Sequence, residues 1–218
     1  MTEQIEKDNS TDDRTRYNLD LFALFNIVVD VYGKDFIMVK DHMLNNNKLE
    51  YEVLRMRMQN RHIAIIFTHI FLEALIYDYG ATHKSDSYIK KYVDKLDIKS
   101  KWVVIPKIVT GKDFPTDSKA FELLQKLTKL RNNIIHLKTS NSKDKELSTF
   151  LQSNVNVRDL VDIDFCFDCM SELLIELQLL DNHDWDLFAY GYIKKIISRE
   201  YQGIMERALK DLGKQMGS

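Results

Sequence analysis

Residues 160–177, Leu160-Val161-Asp162-Ile163-Asp164-Phe165-Cys166-Phe167-Asp168-Cys169-Met170-Ser171-Glu172-Leu173-Leu174-Ile175-Glu176-Leu177, place apolar side chains at 160, 163, 167, 170, 174 and 177. This alternation of three- and four-residue steps draws one stripe along a helix, and the stripe is satisfied only by packing on neighbouring helices. The same period recurs over 61–79, where Ile63, Phe67, Ile70 and Ala74 form a stripe closed by Gly80 as the residue after the helix. Only 7 Gly and 2 Pro occur in 218 residues, too few for the tight turns of an all-β sandwich or barrel. With 44% apolar and 29% charged residues the composition is that of a globular protein. The expected fold is all-α: a single-domain helical bundle of five or more helices over 17–216, behind a mobile polar tail at 1–16.

Further elements follow from the same reasoning. A buried helix is expected over 19–31. After Gly33 a second pattern runs from Phe36 through Met43 toward Leu54 and Met58, broken by Asn45-Asn46-Asn47. A short lysine-rich helix is expected over 86–97. The segment around Trp102-Val103-Val104-Ile105-Pro106 and Val109-Thr110-Gly111-Lys112 reads as an irregular, partly buried connection, because Pro106 and Gly111 both disfavour a continuous helix. Asp117 or Ser118 caps a helix running from Lys119 to about Lys138. A polar loop over 139–156 and a last helix over 185–212 complete the chain.

Several chemistries lack their signatures. Cys166 and Cys169 form one C-x-x-C inside an apolar helix, where free thiols act as small hydrophobes, and no second pair completes a zinc site. There is no phosphate-binding glycine loop, dinucleotide fingerprint or H-E-x-x-H, so neither a metal nor another cofactor is expected. The N-terminal MTEQIEKDNSTDDRTR has no apolar core of the kind a signal peptide needs, and the longest apolar candidate, 63–76, is interrupted by Thr68, His69 and Glu73. A cytoplasmic protein without a membrane partner is the expectation.

Charge is unevenly distributed. Between Ala81 and Lys138, 12 Lys and 1 Arg stand against 6 Asp or Glu, a surplus of seven positive charges in a chain whose net charge is −2. Such a segment either solvates a helical surface or presents a positive face to a phosphate backbone.

Within that segment lies Leu127-Thr128-Lys129-Leu130-Arg131-Asn132-Asn133-Ile134-Ile135-His136. On a helical wheel with Leu127 at zero, Leu127, Leu130, Ile134 and Leu137 fall at about 0°, 300°, 340° and 280°, whereas Arg131, Ile135, Asn132 and His136 fall at about 40°, 80°, 140° and 180°. The polar three are thus expected outside the core stripe. Ile135 lies among them, an arrangement explained if a second subunit covers the sector and brings two copies of Arg131, Asn132 and His136 into one groove.

Arg131-Asn132-Asn133-Ile134-Ile135-His136, late in a helix of an all-helical chain, resembles the R-x4-6-H motif of the HEPN superfamily. Phe71-Leu72-Glu73-Ala74-Leu75, the stretch from Lys101 to Lys107 and Val109-Thr110-Gly111-Lys112 add to the resemblance, which spans about residues 60–180. It implies a helical bundle that dimerises with the motif at its interface and acts as a metal-independent endoribonuclease, serving as a toxin or in defence. On that reading His136 is general base or acid, Arg131 stabilises charge on the phosphoryl oxygens and Asn132 orients one or the other. Lys126, Lys129 and Lys138 would contact RNA, and an antitoxin or activating protein is a further expected partner. One branch of the superfamily carries a tyrosine two residues after the motif histidine and pairs with a nucleotidyltransferase antitoxin; Lys138 stands at that position, a departure from that branch.

His69 and Glu73, four residues apart, either support the motif from a neighbouring helix or form a local pair. His42, His62, His83 and His183 are expected at the surface. Two other classes compete with an RNA endonuclease. One is a catalytically silent module that binds RNA or a nucleotide through the same cations, and the other is a purely structural dimerisation bundle.

Overall fold

A computed structural model of the protein describes residues 20–35, 38, 51–135 and 163–181. Among the described residues there are six helices and no strand, so the all-α bundle is observed. They are α1 (20–35), α2 (Tyr51–His83), α3 (Asp86–Tyr92), α4 (Ile98–Thr110), α5 (Lys119–Ile135) and α6 (Asp164–Leu180). Buried side chains from all six belong to one apolar cluster. The tail at 1–16, the Asn45–Asn47 break, the loop at 139–156 and the helix at 185–212 lie outside the described residues.

α1 buries Leu21, Phe25, Val28, Val31 and Tyr32, a single helical face. Phe25 meets Phe71 of α2 at 5.8 Å between ring centroids, and Tyr32 stands edge-on to Phe167 of α6 at 5.1 Å. Its last residue, buried Asp35, accepts from Arg57 Nε at 3.1 Å and so ties the end of α1 to α2.

The 33-residue α2 is the centre of the bundle, packing on α3, α4, α5 and α6. It begins at Tyr51, so residues 51–58 belong to the same helix as 61–79. Its buried face comprises Ala64, Ile65, Phe71, Leu72, Leu75, Ile76 and Tyr79. The expected stripe is corrected: Phe67 and Ala74 are half-buried, while Ile63 and Ile70 are exposed. The helix is apolar nearly all round, so several faces share the helical period and the neighbours decide which is buried. By length and composition alone its stretch Arg55–His83 is apolar enough to cross a membrane, and more than half of the most apolar part is buried inside the bundle.

Gly80 is interior to α2 rather than the residue after it. A Cβ there would lie 2.9 Å from both Ile105 Cγ2 and Ile89 Cδ1, so glycine permits the close approach of α3 and α4. Gly33 in α1 has nothing within 4 Å of its would-be Cβ. Gly80→Val is therefore expected to cost about 1–3 kcal/mol by overpacking. Gly33→Ala is expected to gain up to about 1 kcal/mol through helix propensity. Urea midpoints that moved in the same direction for both would contradict this packing.

The stretch expected to be irregular is α4, a helix with Pro106 inside it. Asp97 caps it by accepting from the backbone N–H of Lys99 (2.9 Å) and Ser100 (3.1 Å), and Gly111, at φ 77°, ends it in the left-handed conformation. Proline removes one internal hydrogen bond, a loss outweighed by burial of Ile98, Trp102, Ile105 and Pro106 against α2 and its neighbours. α3 ends at Tyr92, shorter than expected, and Ser85 Oγ caps it by accepting from Tyr88 N–H at 3.3 Å.

α5 starts where Ser118 Oγ accepts from Phe121 N–H at 3.3 Å, as the capping pattern predicts. It runs antiparallel to α6: Lys119 pairs with Glu172 at 2.9 Å, and Lys126 Nζ sits 4.8 Å above the Phe165 ring. α6 buries Ile163, Phe167, Met170, Leu174 and Leu177, the expected stripe. Cys166 and Cys169 are buried free thiols, and desolvation pushes Cys166 up to about 12, so both act as apolar filler.

Candidate functional site

The face of α5 that enters the core is broader than the wheel of residues 127–137 implies. Ala120, Phe121, Leu124 and Leu127 are buried, and on that wheel they span about 0–120°. Leu130 and Ile134 are only half-buried. Arg131, at about 40°, therefore lies on the inward arc, and its half-buried position corrects the expectation that it stands outside the core face. The cause is the first two turns of α5, whose Phe121 and Leu124 swing the packed face round. Ile135 shares this arc and is still 47% exposed. Asn132 is exposed and accepts from Arg131 Nη1 at 3.0 Å. His136 and Lys138 lie outside the described residues.

The inward direction of Arg131 brings its charge to α2. His69, 6% exposed, has its pKa lowered from the ordinary 6.5, first by desolvation and second by the Arg131 cation, with Glu73 opposing. One helical ridge of α2 carries His62, His69 and Glu73 at steps of seven and four residues. His62 is half-buried, correcting its expected surface position, and its pKa is lowered by burial and then by Arg61. The ridge thus holds two imidazoles that stay neutral at pH 7, each with a nitrogen lone pair, and α5 adds a permanent cation with forked donors.

Glu73 does not engage His69 in a hydrogen bond among the described residues. Its Oε1 accepts from Lys101 Nζ of α4 at 2.8 Å, and Asp94 approaches the same ammonium at 3.9 Å. The Lys101 side chain is 5% exposed and that of Glu73 40%. This pair fixes the ridge against α4, so Glu73 acts on the site through position and charge. Of the three lysines expected to face RNA, Lys126 is exposed but held over Phe165, Lys129 is exposed and Lys138 is outside the described residues.

The structure thus gathers Arg131, Asn132, His69 and Glu73 on adjoining faces of α2 and α5. Sequence reasoning did not single out Lys101 and His62 as parts of this group. Lys101 falls at a buried helical position with Ile98, Trp102 and Ile105, a pattern visible once the segment is read as a helix. His62 precedes His69 by two turns on the same face. Among the described residues no group of three or more His, Cys, Asp or Glu side chains is placed to hold a metal ion. The chain matches no family model, no curated protein and no solved structure.

The two lowered histidine pKa values have a defined consequence for stability. An imidazole whose folded pKa lies below its unfolded value contributes stability above about pH 6.5, and this is lost as pH falls through the folded value, because the unfolded chain takes up the proton first. The melting temperature is accordingly expected to fall between pH 7.5 and 5.5, and His69→Gln to flatten part of that fall. A His69→Gln slope equal to that of the unsubstituted protein would contradict the burial of a neutral imidazole.

Proposed function

We propose that the protein is an RNA endonuclease whose site is built on Arg131, Asn132 and His136, with His69 and Glu73 supporting it from α2. The observation that carries this reading is the half-buried Arg131, turned along the inward arc of α5 toward the neutral His69. A guanidinium in that setting is partly dehydrated and preoriented, which strengthens its attraction for phosphoryl oxygens as charge builds on them. His136 follows Arg131 by five residues and supplies a side chain able to move a proton near neutral pH. The substrate's own 2′-hydroxyl is then the nucleophile. His136 takes its proton, the P–O5′ bond breaks, and the products are a 2′,3′-cyclic phosphate and a 5′-hydroxyl. In a homodimer the second His136 protonates the departing 5′-oxygen.

Toxin or defence activity in the cytoplasm, with an antitoxin or activating protein as partner, belongs to the same reading. The testing experiment is incubation of the purified chain with total RNA and tRNA in EDTA. Cleavage that persists supports the site, and intact RNA across protein excess favours a silent module binding RNA through the same cations. That second reading is supported by the exposed Lys129, which needs no proton transfer to act.

A further inference from the structure

Met56, Ile63 and Ile70 of α2 are large apolar side chains exposed to 47%, 37% and 41%. They recur every seven residues and thus lie in one line along the helix, continued by the half-buried Tyr77. Half-buried Phe67 and Ala74 border the line at the intervening four-residue steps, so the pattern is a coiled-coil seam on the solvent side of a helix whose other faces are packed.

We infer that this seam pairs with the seam of a second copy of the chain, the two α2 helices running antiparallel about a two-fold axis between Ile66 and Phe67. Two features select this occupant. The line 56, 63, 70, 77 is symmetric about that point, so Ile63 meets the partner's Ile70 and Met56 meets the partner's Tyr77. The charge of α2 is also complementary to its own reverse: residues 51–67 carry three Arg and one Glu, while residues 68–83 carry Glu73 and Asp78 and no Lys or Arg. Antiparallel pairing sets the positive half of each helix beside the negative half of the other, with Arg55 level with the partner's Asp78. A parallel pair would align like charges along the whole seam.

A two-fold axis perpendicular to α2 brings equivalent flanks together on the same side of the seam. The ridge of His62, His69 and Glu73 lies about 90° round the helix from the seam, with Arg131 of α5 beside it. The pairing therefore faces the two ridges and the two Arg131 side chains across one groove, to which each copy contributes half of the cations. This consequence rests on the ribonuclease reading; the interface itself does not.

The test is the solution mass of the full chain by light scattering, together with directed cross-linking. The unsubstituted chain is expected at twice 25.7 kDa. Ile63→Asp with Ile70→Asp is expected to weaken self-association at least about 100-fold, because charged groups enter an apolar contact, while the helical circular dichroism is retained. Independently of that variant, a mixture of Ile63→Cys and Ile70→Cys chains is expected to form a mixed disulfide dimer in high yield, with neither variant cross-linking efficiently alone. A monomeric mass, a dimer indifferent to the double substitution, or efficient Ile63→Cys self-cross-linking would overturn the inference. So would a monomer that floats with phosphatidylcholine vesicles, which assigns the seam to a lipid surface. A dimer that passes these tests and leaves RNA intact keeps the interface and rejects the ribonuclease reading.

Discussion

His136→Ala is expected to lower RNA cleavage at least about 100-fold while changing RNA affinity by no more than a few-fold. General acid–base catalysis by a positioned side chain contributes about 10²–10⁴-fold, and the proton transferred exists only during reaction, so ground-state binding is spared. Arg131→Ala is expected to damage both quantities, because the guanidinium contacts phosphate in the ground state and in the transition state alike. Arg131→Lys tests geometry: a point charge without forked donors, displaced from the arc beside His69, restores part of the affinity and little of the rate. Single-turnover cleavage and filter binding on one RNA separate the two effects. Equal losses of rate and affinity in His136→Ala would place that histidine in binding alone.

Trp102→Ala is expected to be among the most destabilising single changes, at about 3–5 kcal/mol. The indole is fully buried in α4 and stands edge-on to Phe114 at 5.9 Å, which in turn packs on Phe121 of α5 at 6.3 Å. Deleting it opens a cavity at the junction of α2, α4 and α5, and this removes a large share of a stability that typically totals about 5–15 kcal/mol. Trp102→Phe is a sharper variant. The indole N–H is buried with no acceptor among the described residues, so its removal relieves a polar cost of about 1–3 kcal/mol and offsets much of the smaller cavity. Trp102→Phe is therefore expected within about 1.5 kcal/mol of the unsubstituted protein, read from urea unfolding. A phenylalanine variant as unstable as the alanine variant would show that the N–H is satisfied.

These two residues also mark where sequence reading succeeds and where it fails. Period and composition are enough for the bundle, since the stripe from Ile163 to Leu177 admits one buried face and that face is the one observed. They are insufficient in α2, where Ile63, Ala64, Ile65, Ile66 and Phe67 are consecutive and any rotation of the helix buries something apolar. Trp102 was concealed by Pro106: a local rule against helix was overruled by burial of four side chains and a sound cap at Asp97. The motif was legible at Arg131 as a residue type and spacing but not as an orientation, because the direction of α5 is decided by Phe121 and Leu124, two turns upstream. Glu73 was noticed for its neighbour His69, whereas its hydrogen bond runs to Lys101, 28 residues away, a pairing that only the packing of α4 on α2 creates.

The chemistry left on the RNA ends tests the central claim most directly. Mass spectrometry of fragments cut in EDTA is expected to find 2′,3′-cyclic phosphate and 5′-hydroxyl termini, with a 2′-O-methyl at the cut site blocking cleavage, because the 2′-oxygen must lose its proton to attack. Fragments bearing 5′-phosphate ends, or efficient cutting of the 2′-O-methyl substrate, would contradict the assignment of Arg131 and His136.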